Sequence, residues 1–168
     1  MLYGGMAMSY LHDLERLQAQ LGSFVSENPE YGLKRRHLLF VYGTMKRGLR
    51  NHGRLAKAKF VDHATTVGNC YLMSTKKVTG GHLAPVVNLN GLFQVRGELY
   101  EVDGPTLAEI DLCEGHPLTY ERLDVMVNVD HDGGGPLRVW MYLFGAHPEE
   151  KVTCTGVRVD GMVMEFRP

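Results

Sequence analysis

The 168-residue chain is poor in cysteine: Cys70, Cys113 and Cys154 are odd in number, far apart, and include no Cys-x-x-Cys pair. That pattern excludes a disulfide framework and a cysteine zinc site, and it predicts a reducing compartment. The eight histidines are scattered, with none at a ligand spacing such as His-x-x-x-His, so no metal is expected. Excess charge is missing too. With 18 basic and 19 acidic residues the net charge is -1, and the longest basic run is Lys34-Arg35-Arg36, so no nucleic-acid partner is expected. No segment reaches the ~18 apolar residues needed to span a bilayer, and no basic leader precedes an apolar stretch at the N-terminus. The expectation is a cytoplasmic protein without a membrane partner. Gly43 and Gly48 have the spacing of a phosphate-binding loop, but Leu49-Arg50 follows where that motif needs Lys and Ser/Thr. No Gly-x-Gly-x-x-Gly opens a helix, so a dinucleotide cofactor has no visible anchor. Repeats and low-complexity segments are also lacking.

What is present suits one compact domain, with 44% hydrophobic and 22% charged residues. Tyr10, Leu14, Leu17, Leu21 and Phe24 recur at spacings of three and four, between Ser9 as N-cap and Asn28-Pro29 as a stop. They predict an amphipathic helix over 9–26 within an N-terminal extension, 1–36. From His37 the pattern changes to strands. Leu38-Leu39-Phe40-Val41-Tyr42 is a continuous apolar run ending at Gly43. Leu123, Val125, Val127 and Val129 recur at every second position, as do Leu137, Val139, Met141 and Leu143 beyond the turn-forming 132–136, which predicts a hairpin with one buried face. Val95 to Tyr100 and the region of Tyr71 are further strands, and Val157 to Phe166 reads as a hairpin turning at Asp160-Gly161. Five or more strands with few helices give an α+β class with a small closed or strongly curled sheet. The expected division is 1–36, a main domain over 37–150, and a C-terminal tail or hairpin over 151–168 packed on it.

One helix carries an acid on its apolar side. Asp103-Gly104-Pro105 is a start signal and Gly115, before His116-Pro117, is a stop. Between them, Leu107 and Ile110 lie on one stripe, and seven residues past Leu107 that stripe reaches Glu114. Two placements fit. Either Glu114 is partly desolvated beside the negative helix end, its pKa lifted above the ~4.3 of free glutamate as suits a general acid/base, or the helix is rotated and the acid is solvated or paired with Arg122. Gly43 likewise admits two readings. A positive φ there would aim successive backbone N–H groups into one concavity that binds an anion, or the residue simply serves a tight turn.

Val41-Tyr42-Gly43-Thr44-Met45-Lys46-Arg47-Gly48, continuing to Asn51-His52, resembles the signature of the gamma-glutamylcyclotransferase-like superfamily, in particular its gamma-glutamylamine cyclotransferase branch. Met45 stands where that signature usually has leucine. The resemblance resumes at Gly97-Glu98-Leu99-Tyr100-Glu101-Val102-Asp103 and at Leu112-Cys113-Glu114-Gly115-His116-Pro117, and it closes with Tyr120-Glu121-Arg122. It implies a small mixed or antiparallel β-barrel with flanking helices. It also implies a cofactor-independent enzyme that converts a gamma-glutamyl amine or amino acid to 5-oxoproline, with Glu114 as acid/base and the loop at Tyr42, Gly43, Thr44 and Met45 cradling the substrate. Pro85 and Val86 fall where the family has a pocket-lining segment, Tyr120 and Tyr142 are candidate pocket walls or hydroxyl donors, and Asn51-His52 would orient the loop or line the entrance. The expected partner is a small gamma-glutamyl substrate, with the protein a monomer or weak dimer.

Two other readings compete. Cys113 and His116 are three apart, a spacing that makes neighbours on a helix, and would make a thiol–imidazole dyad, although Gly115 ends the helix before His116. A non-catalytic small-molecule binding protein on the same fold is the second.

Overall fold

The computed structural model describes residues 26–75, 84–89, 91–131, 133, 135–144 and 155–167, together with Ser23. The helix expected over 9–26, most of the 1–36 extension and Cys154 lie outside the described residues.

The strands are β1 (Arg36–Val41), β2 (Lys59–Thr66), β3 (Cys70–Thr75), β4 (Ala84–Leu89), β5 (Gln94–Asp103), β6 (Tyr120–Val129), β7 (Leu137–Phe144), β8 (Val157–Asp160) and β9 (Val163–Phe166). One long helix, α1 (Gly104–Glu114), links β5 to β6. Neighbours run β1-β7-β6-β2-β5, and β1 pairs back onto β5, which closes a barrel. Closure depends on β1 having partners on both edges: antiparallel β5, from Arg36 opposite Asp103 to Val41 opposite Glu98, and parallel β7 at Leu39 opposite Trp140. A closed barrel leaves no unpaired strand edge within its ring. The β8–β9 hairpin joins the long β5 beyond the end of β1, with Gln94 opposite Val163 in parallel, while β3 and β4 form a separate two-stranded sheet.

The continuous apolar run in β1 has a physical reason, because both of its faces are buried. Phe40 joins the barrel interior with Leu99, Val127, Val139 and Met141. Leu39 and Val41 face the opposite way, into a second cluster with Tyr100, Val102, Leu107 and Ile110 that glues α1 to the outside of the barrel. A strand covered on both sides loses the alternating pattern, and β7 loses it too, with Met141, Tyr142 and Leu143 all buried, whereas β6 keeps it from Leu123 onward. There Leu123 pairs with Met141 and Val125 with Val139, as the alternation requires. Two strands that the sequence reading did not single out, β2 and β4, are short or rich in polar residues (Lys59, Asp62, His63, Thr65, Thr66; Pro85, Asn88) and give little periodic signal.

Local chemistry sets both ends of α1. Asp103 caps the start, its side chain accepting from the Thr106 N–H at 2.9 Å, and Pro105 sits in the first turn. At the other end Gly115 is left-handed (φ 65°), its N–H donates to the Leu112 carbonyl, and the His116 N–H donates to the Asp111 carbonyl at 2.9 Å. This is a Schellman closure, and it holds Glu114 at the last position before the chain turns.

Candidate active site

Glu114 opens onto a cavity of about 260 Å³ whose wall includes Tyr42, Gly43, Thr44, Met45, Pro85, Tyr120 and Tyr142. Among the residues expected at the site, Val86 is the one outside that wall; it is buried in the cluster between helix and barrel.

The loop after β1 is held by its carbonyls. Gly43 O accepts from the Lys46 N–H, Thr44 O from the Asn51 N–H at 3.0 Å, and Met45 O from the His52 ring at 3.0 Å. Asn51 Nδ2 also donates to Thr44 Oγ1 at 2.9 Å, so Asn51-His52 does orient the loop. Lys46 is buried against Glu165 of β9 at 2.8 Å, which ties the far side of the loop to the terminal hairpin. The N–H groups of Gly43, Thr44 and Met45, by contrast, have no acceptor among the described residues. Backbone donors at the wall of a cavity must be taken by water or a ligand.

The positive φ of the first of the two readings of Gly43 is not found; Gly48 is the left-handed residue of this loop, at φ 79°. Glycine is needed at 43 for proximity, since a Cβ there would overlap the Pro85 ring of β4. Gly43→Ala should therefore push the loop from β4, costing about 1–3 kcal/mol of stability through overpacking. Because displaced donors no longer meet the reacting group, roughly a tenfold or greater loss of kcat/KM should accompany it. Urea unfolding and steady-state kinetics on the same preparation check both halves.

Glu114 is partly buried and, among the described residues, no group donates a hydrogen bond to its carboxylate. Removal from water pushes it up to about 7, against a smaller downward pull from the Arg54 guanidinium. The alternative pairing with Arg122 does not occur. Arg122 Nε instead donates to Asp111 at 2.9 Å, and Asp111 also accepts from Tyr31 at 2.7 Å and Tyr142 at 2.5 Å. The guanidinium lies over the Trp140 ring, 4.6 Å from its centroid. The sequence reading missed Asp111, although its position four residues after Leu107 places it on the same buried stripe.

The tyrosines have committed protons. Tyr42 donates to the Tyr142 carbonyl at 2.7 Å, Tyr142 to Asp111, and Tyr120 to the Pro85 carbonyl at 3.2 Å. Burial raises Tyr42 and Tyr142 well above the usual phenol range, so neither serves as a base at neutral pH. The thiol–imidazole dyad is not assembled either. Cys113 is exposed and its sulfur contacts Arg54, whereas His116 Nδ1 accepts from the Arg122 N–H at 3.1 Å. Arg50 and Thr119 also line the wall and were not anticipated.

The family model for gamma-glutamyl cyclotransferase, AIG2-like, matches residues 39–166, which includes the terminal β8–β9 hairpin. The gamma-glutamylaminecyclotransferase of Bos taurus is 35% identical over 121 residues, covering 68% of this chain and 69% of that protein. That of Rattus norvegicus is 37% identical over 107 residues, covering 58% and 69%. The crystal structure of an AIG2-like protein from Mus musculus superposes with a TM-score of 0.59 at 29% identity, covering 68% of this chain and 81% of that one. The chain belongs to the gamma-glutamyl cyclotransferase, AIG2-like family and is an enzyme of the cyclotransferase type. No helix among the described residues is long and apolar enough to cross a membrane.

Proposed function

We propose that the protein converts a gamma-glutamyl amine or gamma-glutamyl amino acid to 5-oxoproline and the free amine, with Glu114 relaying protons. The observation that supports this most is a carboxyl group pushed up to about 7 in the same cavity as three backbone N–H donors with no acceptor among the described residues.

The Glu114 carboxylate takes a proton from the substrate's α-ammonium group. The freed amine attacks its own γ-carbonyl, forming the ring C–N bond and leaving charge on oxygen. Loop N–H groups hold that oxyanion or the substrate's carboxylate, a kind of contact typically worth a few kcal/mol in the transition state. Collapse breaks the bond to the leaving nitrogen. The attacking nitrogen gives up two protons in all and the leaving nitrogen gains two, so the amine departs as its ammonium form and Glu114 ends as it began. Because both reacting groups belong to one molecule, most of the protein's work is to hold a folded conformer, and orientation of this kind can supply several kcal/mol.

The test is a panel of gamma-glutamyl compounds incubated with the protein while 5-oxoproline is measured by mass spectrometry; no product from any of them would defeat the reading. The pH profile gives a second check. A protonated carboxyl cannot accept a proton, so kcat/KM should fall as pH drops through about 7. An acid limb centred near 4.5, the ordinary value for glutamate, would contradict the role given to burial.

A further inference from the structure

We infer that Arg50 selects substrates whose leaving amine carries a carboxylate, a refinement that rests on the cyclisation reading above.

The cavity, at about 260 Å³, is smaller than the ~300–1,000 Å³ typical of sites that enclose a whole drug-sized ligand. With the gamma-glutamyl half held at Glu114 and the loop N–H groups, the leaving group points toward the exposed side of the wall. Phe40, Val41, Tyr42, Met45, Tyr120 and Tyr142 of the wall are buried, whereas Arg50, Leu112 and Cys113 are its exposed members and mark the mouth. The leaving group therefore meets these three.

Arg50 differs from the neighbouring cations. Lys46 is bound to Glu165, Arg47 lies over the Phe60 ring at 4.0 Å, and Arg54 contacts Cys113. Arg50 has no hydrogen-bond or ion-pair partner among the described residues. The wall contains one acid, Glu114, and Arg54 is close enough to lower that acid's pKa. When Glu114 takes the substrate's proton its charge is lost and the mouth becomes more positive. A carboxylate on the leaving group then finds an unpaired guanidinium, while a cationic leaving group meets uncompensated positive charge. Discrimination arises from both the attraction and the repulsion.

Three substrates of matched length and different terminal charge isolate the effect: gamma-glutamyl-β-alanine, gamma-glutamyl-propylamine and gamma-glutamyl-1,3-diaminopropane. The wild type should favour the acid over the neutral compound by about fivefold in kcat/KM, and the neutral over the cation by a similar factor, the scale of an ion pair open to solvent. Raising the salt concentration to 1 M should compress the series, which an effect of shape alone would not do. Arg50→Gln should bring the acid-to-neutral ratio close to one, Arg50→Glu should invert the order, and Arg50→Lys should keep part of the preference. A wild type indifferent to terminal charge, or a preference that survives Arg50→Gln, overturns the inference while leaving cyclisation standing. So does an equal loss on all three substrates, which would mean that Arg50 holds the shared gamma-glutamyl carboxylate. Absence of 5-oxoproline from every compound defeats the cyclisation reading itself and this inference with it.

Discussion

Glu114→Gln should reduce turnover by at least roughly a hundredfold, the usual scale for removing a general acid/base, while the fold survives. The amide keeps the shape and polarity of the side chain but cannot take the proton of the α-ammonium group. Circular dichroism should match the wild type, and the acid limb of the pH profile near 7 should disappear. Near-normal turnover would end the assignment.

The same substitution should raise stability, in a defined pH window. A carboxyl whose pKa is raised by burial binds its proton more tightly in the folded than in the unfolded chain. Its contribution to stability is therefore fully present below the unfolded value of 4.5 and is lost as pH rises through about 7. Glutamine has no proton to lose. The Tm of Glu114→Gln should pull ahead of the wild type across that window and stay ahead above it. An active-site acid that weakens the fold at working pH is the cost of placing a titrating group where it can react.

Asp111→Ala should be the most destabilising of the substitutions considered, by about 3–5 kcal/mol, because it removes one partner of a buried ion pair. Among the described residues, Arg122 would remain buried with only the more distant Glu30, at 3.5 Å, for a counter-ion. Tyr31 and Tyr142 would lose their acceptor as well. Urea unfolding measures the loss. The double variant Asp111→Ala, Arg122→Met should be less destabilised than the sum of its two single variants, because methionine leaves no unpaired charge behind. Strict additivity would show that the two side chains are not coupled.

Asp111 and Glu114 are three residues apart on one helix, and their fates differ through context alone. Asp111 is surrounded by donors and holds α1 to β6 and β7 through Arg122 and Tyr142. Glu114, at the last position before Gly115, has no donor among the described residues and faces the cavity. Sequence spacing placed Glu114 on the buried stripe but could not say which acid Arg122 would choose, since that depends on how β6 lies against the helix.

The chain's own chemistry determined the local pieces: caps at Asp103 and Gly115, alternation in β6, the apolar run of β1, and the turn at Asp160-Gly161. These are readable because capping, pleat and turn geometry act between residues close in sequence. Tertiary structure alone decided what lies between distant segments. Closure of β1 onto both β5 and β7 brings the Gly43 loop to the mouth of α1, the Pro85 ring makes glycine necessary at 43, and long-range burial sets the protonation of Glu114. Desolvation is a property of everything packed around a group, so no spacing along the chain encodes it.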